Sequence, residues 1–322
     1  MGQLRSIQVL RAVAAIGVVI LHTSTVHGIV PDASAIGAAG VDLFFVISGV
    51  IMVTVGAHAT PLGFLSRRAF RIYPMWLVAA LPCLLAGNSS AAQVAATITL
   101  WPVYDTYVLP ALDLGWTLSF EMLFYIAFAF SLRFGAAVPL VAYAVAFLAG
   151  QIAPGPLLDF IGNPMILEFL AGVLIARLPR STLLAISVIP VAVLLASSAP
   201  SGLYAGDVAR DANRAIFRVL WWGLPAALIV YSAITFERLF KASIWTAAVL
   251  LGNASYAIYL FHPYVLNSLD LPPRALVLAA VALGVALHLT LEPVLNKFTG
   301  AARRKIGGLR RDPTRYGMQP GI

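Results

Sequence analysis

Apolar residues along this chain do not alternate, nor do they keep to one face of a 3.6-residue period. They gather instead in blocks near twenty residues long, and the charged residues fall mostly in the joints between blocks. A helix needs about 20 predominantly apolar residues to cross the ~30 Å hydrocarbon core of a bilayer. Ten blocks meet that length or approach it, at about 7–26, 40–57, 72–88, 115–133, 136–152, 164–178, 182–198, 216–236, 245–266 and 274–292. Proline and glycine mark the joints, among them Pro31, Pro61, Pro110, Pro154, Pro200 and the pair Pro272–Pro273. The stretch 92–104 is apolar but short, which predicts a re-entrant or interfacial segment, or else an eleventh span. No internal repeat and no soluble domain is evident. The pattern predicts an all-α, polytopic transmembrane helical bundle of about ten spans.

Composition sharpens this and excludes the soluble classes. Hydrophobic residues make up 61% of the chain and charged residues 11%, against roughly 25% charged in a soluble domain. The net charge of +8 does not point to nucleic acid, because lysine and arginine concentrate on the cytoplasmic side of membrane proteins. With the N-terminus inside, ten spans place Arg67, Arg68, Arg71, Arg133, Arg177, Arg180, Arg238 and Lys241 in inner loops. Both termini are then cytoplasmic, and the inverse threading reverses the bias. Residues 1–295 form the transmembrane domain, and 296–322 form a basic cytoplasmic tail suited to anionic lipid. The first block contains Arg11 and lacks a small-residue cleavage site, so it reads as a retained helix. The lone cysteine, Cys83, excludes an intrachain disulfide.

Ionisable groups inside a bilayer are costly and mark pathways or sites. Span one holds Arg11 and His22. Eleven steps of roughly 100° return to within about 20° of the start, so both side chains share one face, about 16 Å apart along the axis. An interfacial arginine that snorkels and a histidine bonded within the bundle would be the plainer explanation. Threading, however, puts His22, Asp42, Glu121 and His262 in the same outer half although they come from four separate spans. One shared depth predicts a polar site there. On the inner side Arg68 and Arg71 are spaced i,i+3, a fork able to grip phosphates bidentately. Polar groups within a bundle also suit a sugar or proton-coupled transporter, but that class predicts inverted repeats with matching broken helices. A polysaccharide polymerase or ligase would favour a large outer loop.

These residues fall into a known order. Arg11 and His22, Phe44-Phe45-Val46-Ile47-Ser48-Gly49, Arg68-x-x-Arg71 before Ile72-Tyr73-Pro74, Trp116-Thr117-Leu118-Ser119-Phe120-Glu121, and the span Tyr256 to His262 together resemble the type-3 membrane acyltransferases. The opening Ile7-Gln8-Val9-Leu10-Arg11 is most similar to the exopolysaccharide-production acetyltransferase branch, in which many members carry Asp where Gln8 stands. The resemblance implies an O-acyltransferase of the bacterial cytoplasmic (inner) membrane. It would move an acyl group, by default acetyl, from acyl-CoA to a hydroxyl of an extracytoplasmic polysaccharide or lipid-linked sugar. It also implies His22 as base or acyl-accepting nucleophile, with Glu121 or Asp42 orienting it. Arg11, Arg68, Arg71, Ser48, Trp116, Ser119, Tyr256 and His262 would bind substrate or acyl-CoA. No metal and no tightly bound cofactor is expected; acyl-CoA is a co-substrate, the bilayer is the remaining partner, and nucleic acid is not one.

Overall fold

A computed structural model of the protein describes residues 4–28, 36–56, 59–199 and 211–307. Pro31, Pro200, Arg210 and the tail residues 308–322 lie outside the described residues. Among the described residues the architecture is helical throughout, with one isolated antiparallel bridge between Val103 and Tyr107. In chain order the helices are α1 (Arg5–Val26), α2 (Ala39–Gly56), α3 (Pro61–Leu85), α4 (Ala91–Thr99), α5 (Gly115–Phe134), α6 (Ala137–Ile152), α7 (Pro156–Ile161), α8 (Ile166–Ile175), α9 (Thr182–Ser197), α10 (Ala212–Arg218), α11 (Leu224–Thr235), α12 (Thr246–Ser268) and α13 (Pro273–Gly307). Eight segments are long and apolar enough to cross a membrane, and α6 and α9 are shorter apolar helices. Large apolar side chains such as Leu85, Val141, Ile152, Leu183, Leu194 and Phe298 are exposed on the outside. Such a surface needs lipid rather than water as its solvent. The protein is an integral membrane helical bundle.

Helices stand at all ten expected positions, eight long enough to cross and two shorter. The third begins at Pro61 rather than near 72, so Arg67, Arg68 and Arg71 lie within α3 and not in a loop as expected. The internal breaks have local causes. The sixth starts earlier than expected, running over Pro156–Ile175 as the two pieces α7 and α8. Pro164 brings no N–H to the ladder, and the Asn163 side chain accepts instead from Met165 N–H at 3.1 Å. The eighth passes from α10 to α11 through a π-helical turn at Val219–Gly223. The short stretch 92–104 does not span. Its helix α4 has 9 residues, about 14 Å of rise, capped by Ser90 and Gln93. The last helix runs past the expected end at 292 to Gly307, so the first part of the basic tail continues it.

Helices α1 and α12 are parallel neighbours, as two odd-numbered spans must be. Arg5 bonds Thr246, Gln8 packs on Gly252, Arg11 bonds Ser255 and His22 bonds His262, ascending together. The approach is so close that a Cβ on Gly252 would stand 1.9 Å from the Gln8 carbonyl oxygen, a small-residue contact of the kind that brings membrane helices together. At the inner end Glu237 accepts from the backbone N–H groups of Arg5 and Ser6 at 2.8 and 3.0 Å. A carboxylate there satisfies two orphan donors and the positive end of the helix dipole. Helix α2 crosses α8 by a second glycine contact, where Cβ atoms on Gly49 and Gly172 would stand 2.1 Å from Phe169 O and 2.0 Å from Val46 O.

Candidate active site

Three polar groups occupy the bundle interior at different depths. Innermost is a cavity of about 110 Å³, several times the space one water needs. Arg11, Ser48, Arg68, Arg71, Glu121 and Tyr256 line it, together with Thr117, Tyr125, Ser255 and Tyr259. Its lining thus holds three guanidinium groups and one carboxylate. Arg11 donates from Nε to the Ser255 hydroxyl at 3.1 Å, leaving its remaining N–H donors toward the cavity. Arg68 lies over the Tyr125 ring at 6.0 Å, and its buried Nε has no hydrogen-bond partner. Arg71 is different. It is ion-paired with Glu292 of α13, whose other oxygen lies 2.6 Å from His288 Nδ1. Glu121 accepts from Ser48 at 3.2 Å and from the Tyr125 hydroxyl.

The outer end of this cavity is closed by Tyr259 and Thr117, whose hydroxyls lie 3.0 Å apart, with Phe44 edge-on to the Tyr259 ring at 6.1 Å. One turn further out on α12 stands His262, fully buried. Its Nδ1 lies 2.8 Å from the carbonyl oxygen of Tyr259, and its Nε2 lies 2.7 Å from Nδ1 of His22. The two imidazole planes are 22° apart with centroids separated by 4.9 Å, the spacing that an edge-to-edge bond between two five-membered rings produces. His22 itself is half-buried. The shared face inferred for Arg11 and His22 therefore exists, and it is the face turned to α12.

The third group lies behind α2. Arg218 grips Asp42 bidentately, Nε to Oδ1 at 3.0 Å and Nη2 to Oδ2 at 2.7 Å, and also donates to Ala38 O at 2.8 Å. The side chains are 3% and 0% exposed. Glu168 of α8 is buried too, and neither of its carboxyl oxygens has a hydrogen-bond partner among the described residues. The π-helical turn makes room for this group, since a Cβ on Gly223 would stand 2.6 Å from Glu168 Oε1.

Six of the eleven expected site residues, Arg11, Ser48, Arg68, Arg71, Glu121 and Tyr256, meet at the cavity. His22 and His262 meet each other. The expected outer-layer cluster divides, however. Neither Asp42 nor Glu121 bonds His22, because Asp42 is held by Arg218 and Glu121 by Ser48 and Tyr125. Trp116 packs edge-on against Phe45 and Phe120, and the Ser119 hydroxyl bonds back to Gly115 O within α5. Both therefore stand outside the cavity lining. Sequence reasoning did not single out Tyr125, Tyr259, Arg218, Glu168 and Glu292. For Glu168 and Arg218 the signal was present, since both are ionisable residues within spans. For the tyrosines it was not, as aromatic residues in a membrane helix are unremarkable by type.

Comparison with known proteins agrees with this architecture. The family model described as an acyltransferase domain (Acyl_transf_3) matches residues 4–291. The exopolysaccharide production protein ExoZ of Rhizobium meliloti (strain 1021) is 34% identical over 312 residues, covering 85% of this chain and 94% of the relative. No solved structure matches. The family match takes in every helix that lines the cavity or carries the histidine pair, and the chain belongs to this family of membrane acyltransferases.

Proposed function

We propose that the protein is an O-acyltransferase that takes an acyl group, acetyl in the first instance, from acyl-CoA at the cytoplasmic face of a bacterial inner membrane. It delivers that group to a hydroxyl of an extracytoplasmic exopolysaccharide or its lipid-linked precursor. The observation that carries the reading is a cavity with three arginines toward its inner side whose outer end, Tyr259, is in direct contact with the His22–His262 pair. Phosphates of a CoA donor suit guanidinium groups, which bind them through planar forks. Arg68 and Arg11 have no carboxylate within salt-bridge distance among the described residues, so both charges are available to an anionic ligand. The polysaccharide acceptor is supported by the similarity to a protein of exopolysaccharide production.

In this reading His22 is the base. Its imidazole removes the acceptor's hydroxyl proton as the oxygen attacks the thioester carbonyl. The carbonyl oxygen becomes an oxyanion; the Thr117 hydroxyl already donates to Leu114 O at 2.9 Å, so the Tyr259 hydroxyl is the neighbouring neutral donor that can turn to it. Collapse breaks the C–S bond, and the imidazolium returns its proton to the CoA sulfur. Atoms balance as acyl-CoA plus alcohol to ester plus CoA thiol. The acceptor never needs to cross the membrane, because only the acyl end of the donor need reach Tyr259, where the cavity meets the histidine pair. The test is His22→Gln, assayed for transfer of labelled acetyl groups to polysaccharide in membranes. The expected loss is at least about 100-fold, the lower range for a general base. Wild-type transfer by a folded His22→Gln protein would end the proposal.

A further inference from the structure

Two neutral imidazoles bonded through ring nitrogens have a direction, and the third partner in the chain determines it. The carbonyl oxygen of Tyr259 can only accept. His262 Nδ1, 2.8 Å away, must therefore carry a hydrogen and donate. A neutral imidazole has one N–H, so His262 Nε2 holds a lone pair and accepts. The atom opposite it, His22 Nδ1 at 2.7 Å, must then be the donor. That leaves His22 Nε2 without a hydrogen. The reverse assignment would set a bare Nδ1 of His262 against a carbonyl oxygen, lone pair facing lone pair, inside a fully buried residue.

From this chain we infer that His262 is the positioning residue for His22, taking the place that a carboxylate holds in a triad. Through Tyr259 O, His262 and His22 Nδ1, a backbone carbonyl on α12 selects the tautomer of a side chain on α1, and the selected tautomer is the one whose Nε2 can act as base. The inference rests on His22 being the base and explains why neither Asp42 nor Glu121 is needed beside it. When Nε2 takes the acceptor's proton, His22 carries hydrogen on both nitrogens. Its Nδ1–H stays donated to His262 Nε2, His262 exchanges no proton, and Nε2 later releases the proton to the departing sulfur. Burial fits the division of labour: His262 is 0% exposed, whereas His22 is half-buried.

The direct test is the nitrogen NMR spectrum of the full chain in detergent, labelled with imidazole-15N histidine. His22→Gln and His262→Gln spectra assign the two residues among five histidines. The expected wild-type result is a protonated Nδ1 and a bare Nε2 on both. A hydrogen on His22 Nε2 would overturn the inference, and because it is read on the wild type it does not depend on a variant folding. Kinetics supply the second arm. His262→Phe keeps a ring but no acceptor, and kcat should fall by about 10²–10⁴-fold, the scale of a wrong tautomer, with KM for acyl-CoA within about twofold. His262→Gln places an amide oxygen near the Nδ1–H and should recover at least about tenfold over the Phe variant. Wild-type kcat in His262→Phe would also overturn it. Full activity in His22→Gln would instead remove the base assignment, so the two failures are distinct.

Discussion

At the scale of single residues, the three cavity arginines have different tasks. Arg71 is already neutralised by Glu292 and bridges α3 to α13, whereas Arg68 stands over Tyr125 with its Nε unbonded. Hydrogen bonds to charged groups contribute about 1.5–3 kcal/mol each. Arg68→Ala should therefore raise KM for acyl-CoA by at least about tenfold, with a smaller change in kcat. The difference should be largest at low ionic strength, where screening is weakest. Arg71→Ala should raise KM too, and should also lower the thermal midpoint because Glu292 loses its ion-pair partner. An Arg68→Ala enzyme with unchanged KM across a salt series would detach this residue from the donor. The sequence spacing of Arg68 and Arg71 shows the fork but not that Glu292, more than two hundred positions away, occupies one of its tines.

At the scale of elements, threading a hydropathy pattern gives each residue a depth but no azimuth. That is why Arg11 and His22 were legible as one face: both lie on one helix, and the helical period alone relates them. The partners of that face come from another helix, and their identity depends on which way α12 is rotated. Threading assigns Asp42 and Glu121 to the outer half with His22, yet Glu121 lines the inner cavity with Arg68 and Arg71, and Asp42 points behind α2 to Arg218. Helix lengths were similarly legible, while the α7–α8 break and the π-helical turn were not. Both depend on what packs across from them, Gly223 on Glu168 in particular. The Asp42–Arg218 pair ties α2 to α10, and breaking a buried pair from one side costs about 3–5 kcal/mol. Arg218→Ala leaves two buried carboxyls and should markedly lower the midpoint of thermal unfolding in detergent. Asp42→Asn keeps a hydrogen-bond acceptor for the guanidinium and should cost less. If Arg218→Ala melts with the wild type, the group is not a structural tie.

At the scale of the whole molecule, the bundle arranges its polar groups along the membrane normal. Basic residues cluster at the inner end, where Arg5 also donates to Lys241 O at 3.0 Å, and the histidine pair sits near the outer end. In the proposed reading such a bundle separates donor from acceptor, which meet where the inner cavity abuts the histidine pair at Tyr259. Sidedness is therefore the central claim, and it can be measured. Proteoliposomes holding the protein in a known orientation would receive labelled acetyl-CoA, which does not cross the bilayer, on one side and the polysaccharide on the other. Label should reach polysaccharide at the outer face only when acetyl-CoA is supplied at the face bearing Arg68 and Arg71, and His22→Gln should abolish it. Transfer with acetyl-CoA and polysaccharide both on the outer side, and no donor inside, would contradict the account.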